Sequence, residues 1–230
     1  MLLIINKILF QTILFVSILF SSALLIVNTD FLYDFEFQKN NTSFKTGIKE
    51  NDLKKIVDDL QGFFNEQSDE KIHMNTYING VDKKLFNQKE IIHMVDVKNL
   101  FNDIKVIVLI LWTILIARVL FYFRKSRKNK LYILKTSAKS YLKFSFSITA
   151  FILIALLIGF RWIFYFFHIL SFDNDLWILD PRKDYLINIF EEIFFMDAAM
   201  IIGILTLTSS IIFLLFVNII YKIKNEESFE

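Results

Sequence analysis

Cysteine is absent from the 230 residues. That omission removes disulfide bonds, thiolate metal sites and thioester intermediates together, so any part of the chain outside a membrane has to be held by packing. Acidic side chains are missing from the middle of every long apolar run, which leaves no evident path for a proton or an ion and argues against transport. Proline occurs once, at Pro181, and histidine three times, at His73, His93 and His168. Two of those imidazoles stand at the edges of apolar runs. Imidazole both takes and gives a proton near neutral pH, so these two rings are what makes so apolar a chain an enzyme candidate.

What is present in excess is hydrocarbon: 55% of residues are hydrophobic and 27 are phenylalanine. A bilayer core of roughly 30 Å takes about 20 apolar residues in a helix, and four runs are long enough, at 6–27, 104–123, 144–167 and 198–221. The expected fold is an all-α polytopic membrane protein, four transmembrane helices with a small mixed α/β cap on the outward side. Ser21-Ser22-Ala23 resembles a signal-peptide cleavage site, but Leu24-Leu25-Ile26-Val27 carries the run beyond it and Lys7 is the only basic residue ahead of it. A retained span is the favoured reading.

Positive charge sets the orientation. Residues 124–143 hold eight Lys or Arg and no acid, whereas 28–101 hold ten Lys against thirteen Asp or Glu. The basic loop 124–143 is therefore expected inside, with both termini and the tail 222–230, and the segments 28–103 and 168–197 outside. The net charge of +2 says little beyond this. The inner loop reads as an orientation signal with contact to anionic phospholipid as a second use; nucleic-acid binding is not indicated.

The first outward segment has local order. Leu53, Ile56, Val57, Leu60 and Phe64 recur at helical spacing over 52–64, with Asn51 as a plausible cap. Residues 71–78 alternate, and Asn79-Gly80 is a tight-turn dipeptide, so a short hairpin is expected with His73 on its solvated face. Asn87-Gln88-Lys89-Glu90 has the capping-box form, starting a helix at Gln88 that carries His93, Asp96, Val97 and Leu100 on one face. Run straight into the second span, that helix would lift His93 about 15 Å above Asp103. Asn99, Asn102 and Asp103 are weak helix formers, and a bend or interfacial tilt is expected there.

The third span ends in an aromatic belt, Arg161-Trp162-Ile163-Phe164-Tyr165-Phe166-Phe167-His168, in which Arg161, Tyr165 and His168 share a face. Arg161 reads equally as a snorkelling cation or as a functional one. Asp173-Asn174-Asp175 then forms a polar turn before Trp177. Asp180-Pro181 looks like a cap and first-turn proline of an interfacial helix through Leu186, Ile187, Phe190, Phe194 and Phe195, ahead of the last span at Asp197.

Glu90-x-x-His93-x-x-Asp96-Val97, His168, Trp177-x-x-Asp180-Pro181, Asp184-x-Leu186-Ile187 and Phe194-Phe195, in this order across four spans with a basic inner loop, resemble the lipoprotein intramolecular transacylase family. The chain departs from the family pattern at Glu191, where a proline commonly stands. The resemblance implies that the substrate is a bacterial lipoprotein with a diacylglyceryl group on its N-terminal cysteine, at the outer leaflet of the plasma membrane. Its sn-2 acyl chain would move to the free α-amino group of that cysteine, giving a lyso-form lipoprotein. Donor and acceptor belong to one molecule, so no cofactor is implied.

The residues suit that reaction. One of His93 and His168 can act as base toward the amine and one as acid toward the departing glycerol oxygen, with His93 assigned to the amine and His168 to the ester. Asp96 would orient His93 or merely solvate its helix face, and Arg161 or Tyr165 would support the oxyanion. Two other readings stay open. His93 and His168 with Asp96, Asp173 or Asp175 could form a zinc set in a metal-dependent hydrolase, or the chain could be a non-catalytic membrane partner or sensor.

Overall fold

The structure is a computed structural model that describes residues 2–65, 75–124 and 130–226. In chain order the elements are α1 (Leu2–Val27), α2 (Asp30–Lys39), α3 (Thr42–Thr46), α4 (Glu50–Asn65), β1 (Asn75–Ile78), β2 (Val81–Lys84), α5 (Gln88–Arg124), α6 (Lys130–Ser171), α7 (Leu186–Ile189) and α8 (Glu192–Glu226). Four helical stretches, Lys7–Val27, Gln88–Tyr122, Leu131–Ser171 and Glu192–Lys224, are long and apolar enough to cross a membrane. The helix α6 departs from helical dihedrals at Gly159 (φ −147°, ψ 39°). Contacts divide the chain into two units: Met1–Ala23 with Val106–Ile158 and Met200–Glu230, and Leu24–Lys105 with Gly159–Ala199.

The first unit is a helical bundle. Leu14, Phe15 and Ile18 of α1 form its buried centre with Leu115 and Tyr141. Helix association inside a bilayer gains little from the hydrophobic effect and leans on close approach and interhelical hydrogen bonds. Both are present: Gln11 Nε2 donates to Ser140 Oγ at 3.0 Å, Trp112 Nε1 to Ser21 Oγ at 3.0 Å, and the hydroxyls of Ser145 and Ser210 share a bond of 2.8 Å. Gly203 lets α8 approach α6 so closely that a Cβ there would lie 2.7 Å from Leu153 Cδ2.

The second unit holds the small elements. The amphipathic spacing of α4 is realised at Leu53, Ile56, Val57 and Leu60, all buried, while the last buried position is Phe63 rather than the expected Phe64, which is half-buried; the helix starts at Glu50, one residue ahead of the expected cap Asn51. The strands β1 and β2 pair antiparallel, from Asn75↔Lys84 to Ile78↔Val81. Asn79 (φ 52°) and Gly80 (φ 79°) both take the left-handed conformation that a two-residue hairpin loop of this kind requires. The expected strand residues 71–74, His73 among them, lie outside the described residues. The hairpin docks through an Ile48↔Ile78 bridge and through Asn79 N–H, which donates to Gly47 O at 2.9 Å.

Two expectations are corrected. Of the bend or interfacial tilt expected at Asn99, Asn102 and Asp103, the bend does not occur: one helix runs from Gln88 to Arg124. Intrinsic propensity loses there to tertiary contacts, because Ile91 and Met94 are buried, the Lys98 ammonium lies 4.4 Å from the Phe63 ring centroid, and Lys105 Nζ donates to Phe64 O at 2.9 Å. The interfacial helix expected after Pro181 is also not continuous. Lys183 and Asp184 N–H groups do bond to Asp180 O, both at 2.9 Å, but the Asp184 carboxylate turns back to accept Asp180 N–H at 2.7 Å. The chain closes as a loop, resumes as the four-residue α7, and breaks again at Phe190 (φ −115°, ψ 76°). Phe194 and Phe195 belong to α8, which begins at Glu192 rather than at Asp197.

Candidate active site

The capping box is formed as the sequence reads. Asn87 Oδ1 accepts the N–H groups of Lys89 (2.9 Å) and Glu90 (3.1 Å), while Glu90 Oε2 accepts that of Asn87 at 2.8 Å. This fixes the first turn of α5 and with it the direction of His93, one turn on, which is buried at 7% exposure beside Ile91 and Met94. His168, three residues before the end of α6, is buried to the same 7%.

The two rings meet. Their centroids are 6.1 Å apart and their planes inclined by 33°. Phe172 sets its edge against His93 at 5.2 Å and reaches His168 at 5.7 Å. Trp177 lies over His168 at 4.9 Å and 31°, with Phe164 at 4.3 Å and Phe167 at 5.3 Å. Both imidazoles thus sit in an aromatic box that excludes water from most of their surface.

Hydrogen bonding fixes the tautomer of His168. Its Nδ1 lies 2.7 Å from Phe164 O; a carbonyl can only accept, so Nδ1 carries the hydrogen and Nε2 of the neutral ring carries a lone pair. In His93 the buried Nδ1 has no hydrogen-bond partner among the described residues, an uncommon state for a buried polar atom in native proteins. His93 lies ahead of the polar stretch Asp96-Val97-Lys98-Asn99, well before the apolar run of α5. Burial pushes its pKa down to about 4, the neighbouring His168 pushes the same way, and Asp96 partly opposes them. The ring is held neutral.

The segment 172–186, which carries Phe172 and Trp177, is tied to the first turns of α5. Asn174 Nδ2 donates to Asp96 Oδ2 at 3.0 Å, and the Lys89 ammonium donates to Ile178 O. Asn87 Nδ2 donates to Asp184 Oδ1 at 2.7 Å, and Leu186 N–H donates to Glu90 Oε1 at 2.7 Å. Glu90, 1% exposed, therefore caps two chain segments at once, and Asp184 is 5% exposed. Sequence reading finds the first half of Glu90's work through the capping box. Its bond to Leu186 spans 96 residues and has no local signature.

Of the other residues singled out by sequence, Asp96 bonds Asn174 rather than either imidazole and reaches His93 by charge alone. Tyr165 packs edge-on against Trp177 at 5.5 Å, one ring removed from His168. Arg161 is exposed and pairs with Glu192 at 3.4 Å. Among the described residues no three His, Asp or Glu side chains are grouped to hold a metal ion.

Residues 8–195 match the family profile described as lipoprotein intramolecular transacylase Lit. The chain belongs to this transacylase family. It is accordingly a multi-pass membrane enzyme acting on lipoproteins. Its fold superposes on the solved structure of the membrane-integral lipoprotein intramolecular transacylase Lit from Bacillus cereus with a TM-score of 0.75 and 24% identity, over 96% of each chain. Two further structures of that transacylase, with one histidine replaced by alanine or by arginine, give TM-scores of 0.73 and 0.71 at 24% identity, over 96% of this chain and 94% and 95% of theirs. A search of curated proteins gave no match.

Proposed function

We propose that the chain moves the sn-2 acyl chain of a diacylglyceryl lipoprotein to the α-amino group of the N-terminal cysteine, with His93 and His168 carrying the proton. The observation that supports this reading is the pair of buried imidazoles 6.1 Å apart, drawn from two helices and each with a nitrogen able to accept. An α-amino group has a pKa of about 8, so roughly a tenth of it is unprotonated at pH 7. That fraction attacks the ester carbonyl. Nitrogen becomes strongly acidic as it bonds to carbon, and a neutral ring held below the usual imidazole range can then take its proton.

The balance is simple: one N–C bond forms, one C–O bond breaks, and one proton passes from nitrogen to the glycerol oxygen. His93 serves the amine and His168 the departing oxygen, and because the rings adjoin, the proton released at one end is the proton required at the other. Positioned transfer of this kind is commonly worth about 10² to 10⁴ in rate, and holding amine and ester in one folded pose adds effective molarity. The reaction needs no cofactor. The eight cations and no acids of the loop 124–143 support an orientation with both termini in the cytoplasm and the imidazoles at the outer leaflet, among phospholipid.

Mass spectrometry of lipoprotein N-termini from a host expressing the chain tests this. The wild type should produce lyso-form N-acyl lipoprotein, whereas His93→Ala and His168→Ala should insert in the membrane and produce none. Lyso-form product from both variants at the wild-type level would overturn the proposal.

A further inference from the structure

The corner between α1 and α2 presents two aromatic rings that the described residues leave largely exposed. Phe31 and Phe35 of α2 are 66% and 46% exposed and stack on one another with centroids 6.2 Å apart and planes 16° from parallel. They form the outer side of a helix whose other side is fully packed: Leu32, Tyr33, Glu36 and Phe37 are buried, with Tyr33 and Phe37 against Phe190 at 6.1 and 5.9 Å. Large exposed apolar side chains in register on one helix face mark an interaction surface.

The position of that face is fixed by the span before it. Only Asn28 and Thr29 separate α1 from α2, so Phe31 lies within about 14 Å of Val27 even for extended chain. The corner is also locked. The Tyr33 hydroxyl donates to Val27 O at 2.8 Å, Thr29 Oγ1 donates to Ile26 O at 2.8 Å, and Gln61 Nε2 donates to Val27 O at 3.4 Å. These bonds satisfy carbonyls that the last turn of a membrane-crossing helix leaves without partners, and they pin α2 against the end of α1. Leu25, one turn before the corner, is itself 55% exposed, so the span presents an exposed apolar side chain within two turns of Phe31. At the far end of the helix the Lys39 ammonium stands 5.8 Å from the Phe35 ring centroid, the cation-beside-aromatic arrangement suited to the headgroup level.

We infer that α2 is an interfacial helix whose Phe31 and Phe35 insert among the acyl chains of the leaflet at which α1 ends. The occupant of this face is bulk membrane lipid, which the span already touches at Leu25. By seating the corner, the helix sets the depth of Tyr33 and Phe37 and of the Phe190 and Phe194 rings packed on them. The inference rests on α1 crossing the membrane and is independent of which side faces outward and of the histidine chemistry.

The cysteine-free chain makes the test direct, since one introduced thiol carries one nitroxide. Phe31→Cys and Phe35→Cys are labelled in the full chain in phosphatidylcholine–phosphatidylglycerol vesicles, with Leu109→Cys as the lipid-facing reference within a span and Asp82→Cys as the hairpin reference in water. Electron paramagnetic resonance then reads collisions with oxygen, which concentrates in lipid, against collisions with a polar nickel chelate, which does not. Positions 31 and 35 should resemble 109, with an oxygen-to-nickel ratio several-fold above that at 82. A ratio at either position equal to that at 82 would overturn the inference, as would spin–spin broadening that disappears on dilution with unlabelled chain, the signature of a second copy on the face. Failure of the reference at 109 to read as lipid would instead reject the four-span reading on which the inference stands.

Discussion

His168 donates its Nδ1–H to the carbonyl of Phe164, one turn earlier in the same helix, at 2.7 Å. The bond leaves Nε2 as the atom that the proposed relay would use, and an amide in place of the ring cannot relay a proton through it. Asparagine retains a donor near the Nδ1 position and loses Nε2. His168→Asn should therefore keep near-wild-type thermal stability and lose about 10² to 10⁴ in transfer rate, as should His168→Gln. Retention of transfer by either, measured by mass spectrometry of lipoprotein N-termini, would show that no proton passes through this ring.

The acidic limb of the pH profile follows from the sign of the His93 shift. Its pKa is lowered to about 4, so the neutral, accepting ring persists as pH falls through the ordinary imidazole range and is lost only near 4. The amine, by contrast, gains its proton below about 8. The logarithm of kcat/KM should rise with a slope of about one between pH 5 and pH 8 and steepen to two only toward pH 4. A break to slope two near 6.5 in reconstituted enzyme would mean that the ring is solvated and not held neutral by burial.

Glu90 is expected to act through the loop it holds. Glu90→Ala leaves the N–H groups of Leu186 and Asn87 without their acceptor, at about 1–3 kcal/mol for each buried group. Its unfolding temperature in detergent should fall by several degrees, and transfer should weaken as Trp177 loosens from His168. Glu90→Gln keeps one acceptor oxygen and should fall between the two. An unaltered unfolding temperature in the alanine variant would show that neither bond stabilises the fold.

Gly47 adopts φ +71°, and a Cβ there would collide with the Asn79 side chain at the hairpin turn. Gly47→Ala should cost about 1 kcal/mol for the left-handed backbone alone and more for displacing the hairpin, read as faster amide exchange across residues 75–84. Unchanged exchange would mean that the hairpin does not depend on this contact.

Chelation should leave transfer untouched. Neither the proposed proton relay nor the ligand inventory calls on a metal, so incubation with EDTA followed by assay should return the starting rate. Activity lost to EDTA and restored by zinc would redirect the chemistry to the two histidines as ligands.

The four apolar helices and the hairpin were legible because each rests on a local pattern: about twenty apolar residues for a span, and the Asn79-Gly80 dipeptide for a turn. The first half of the site was legible for the same reason, since Asn87 and Glu90 write a helix start three residues before His93. The continuity of α5 was not, because the poor propensities of Asn99, Asn102 and Asp103 are outweighed by contacts to Phe63 and Phe64 some 35 to 40 positions away. The loop after Pro181 was misread as a helix for a like reason: Glu90 takes the Leu186 N–H and the Asp184 carboxylate takes that of Asp180. No local pattern pairs Trp177 with His168, and only the fold lays one ring on the other.

The bond from Leu186 to Glu90 also carries a consequence for biogenesis. Its donor is made 96 residues after its acceptor, and both Trp177 and His168 emerge late as well. A nascent polypeptide therefore cannot close this bond until residue 186 has been made, by which time its first three long apolar helices are complete.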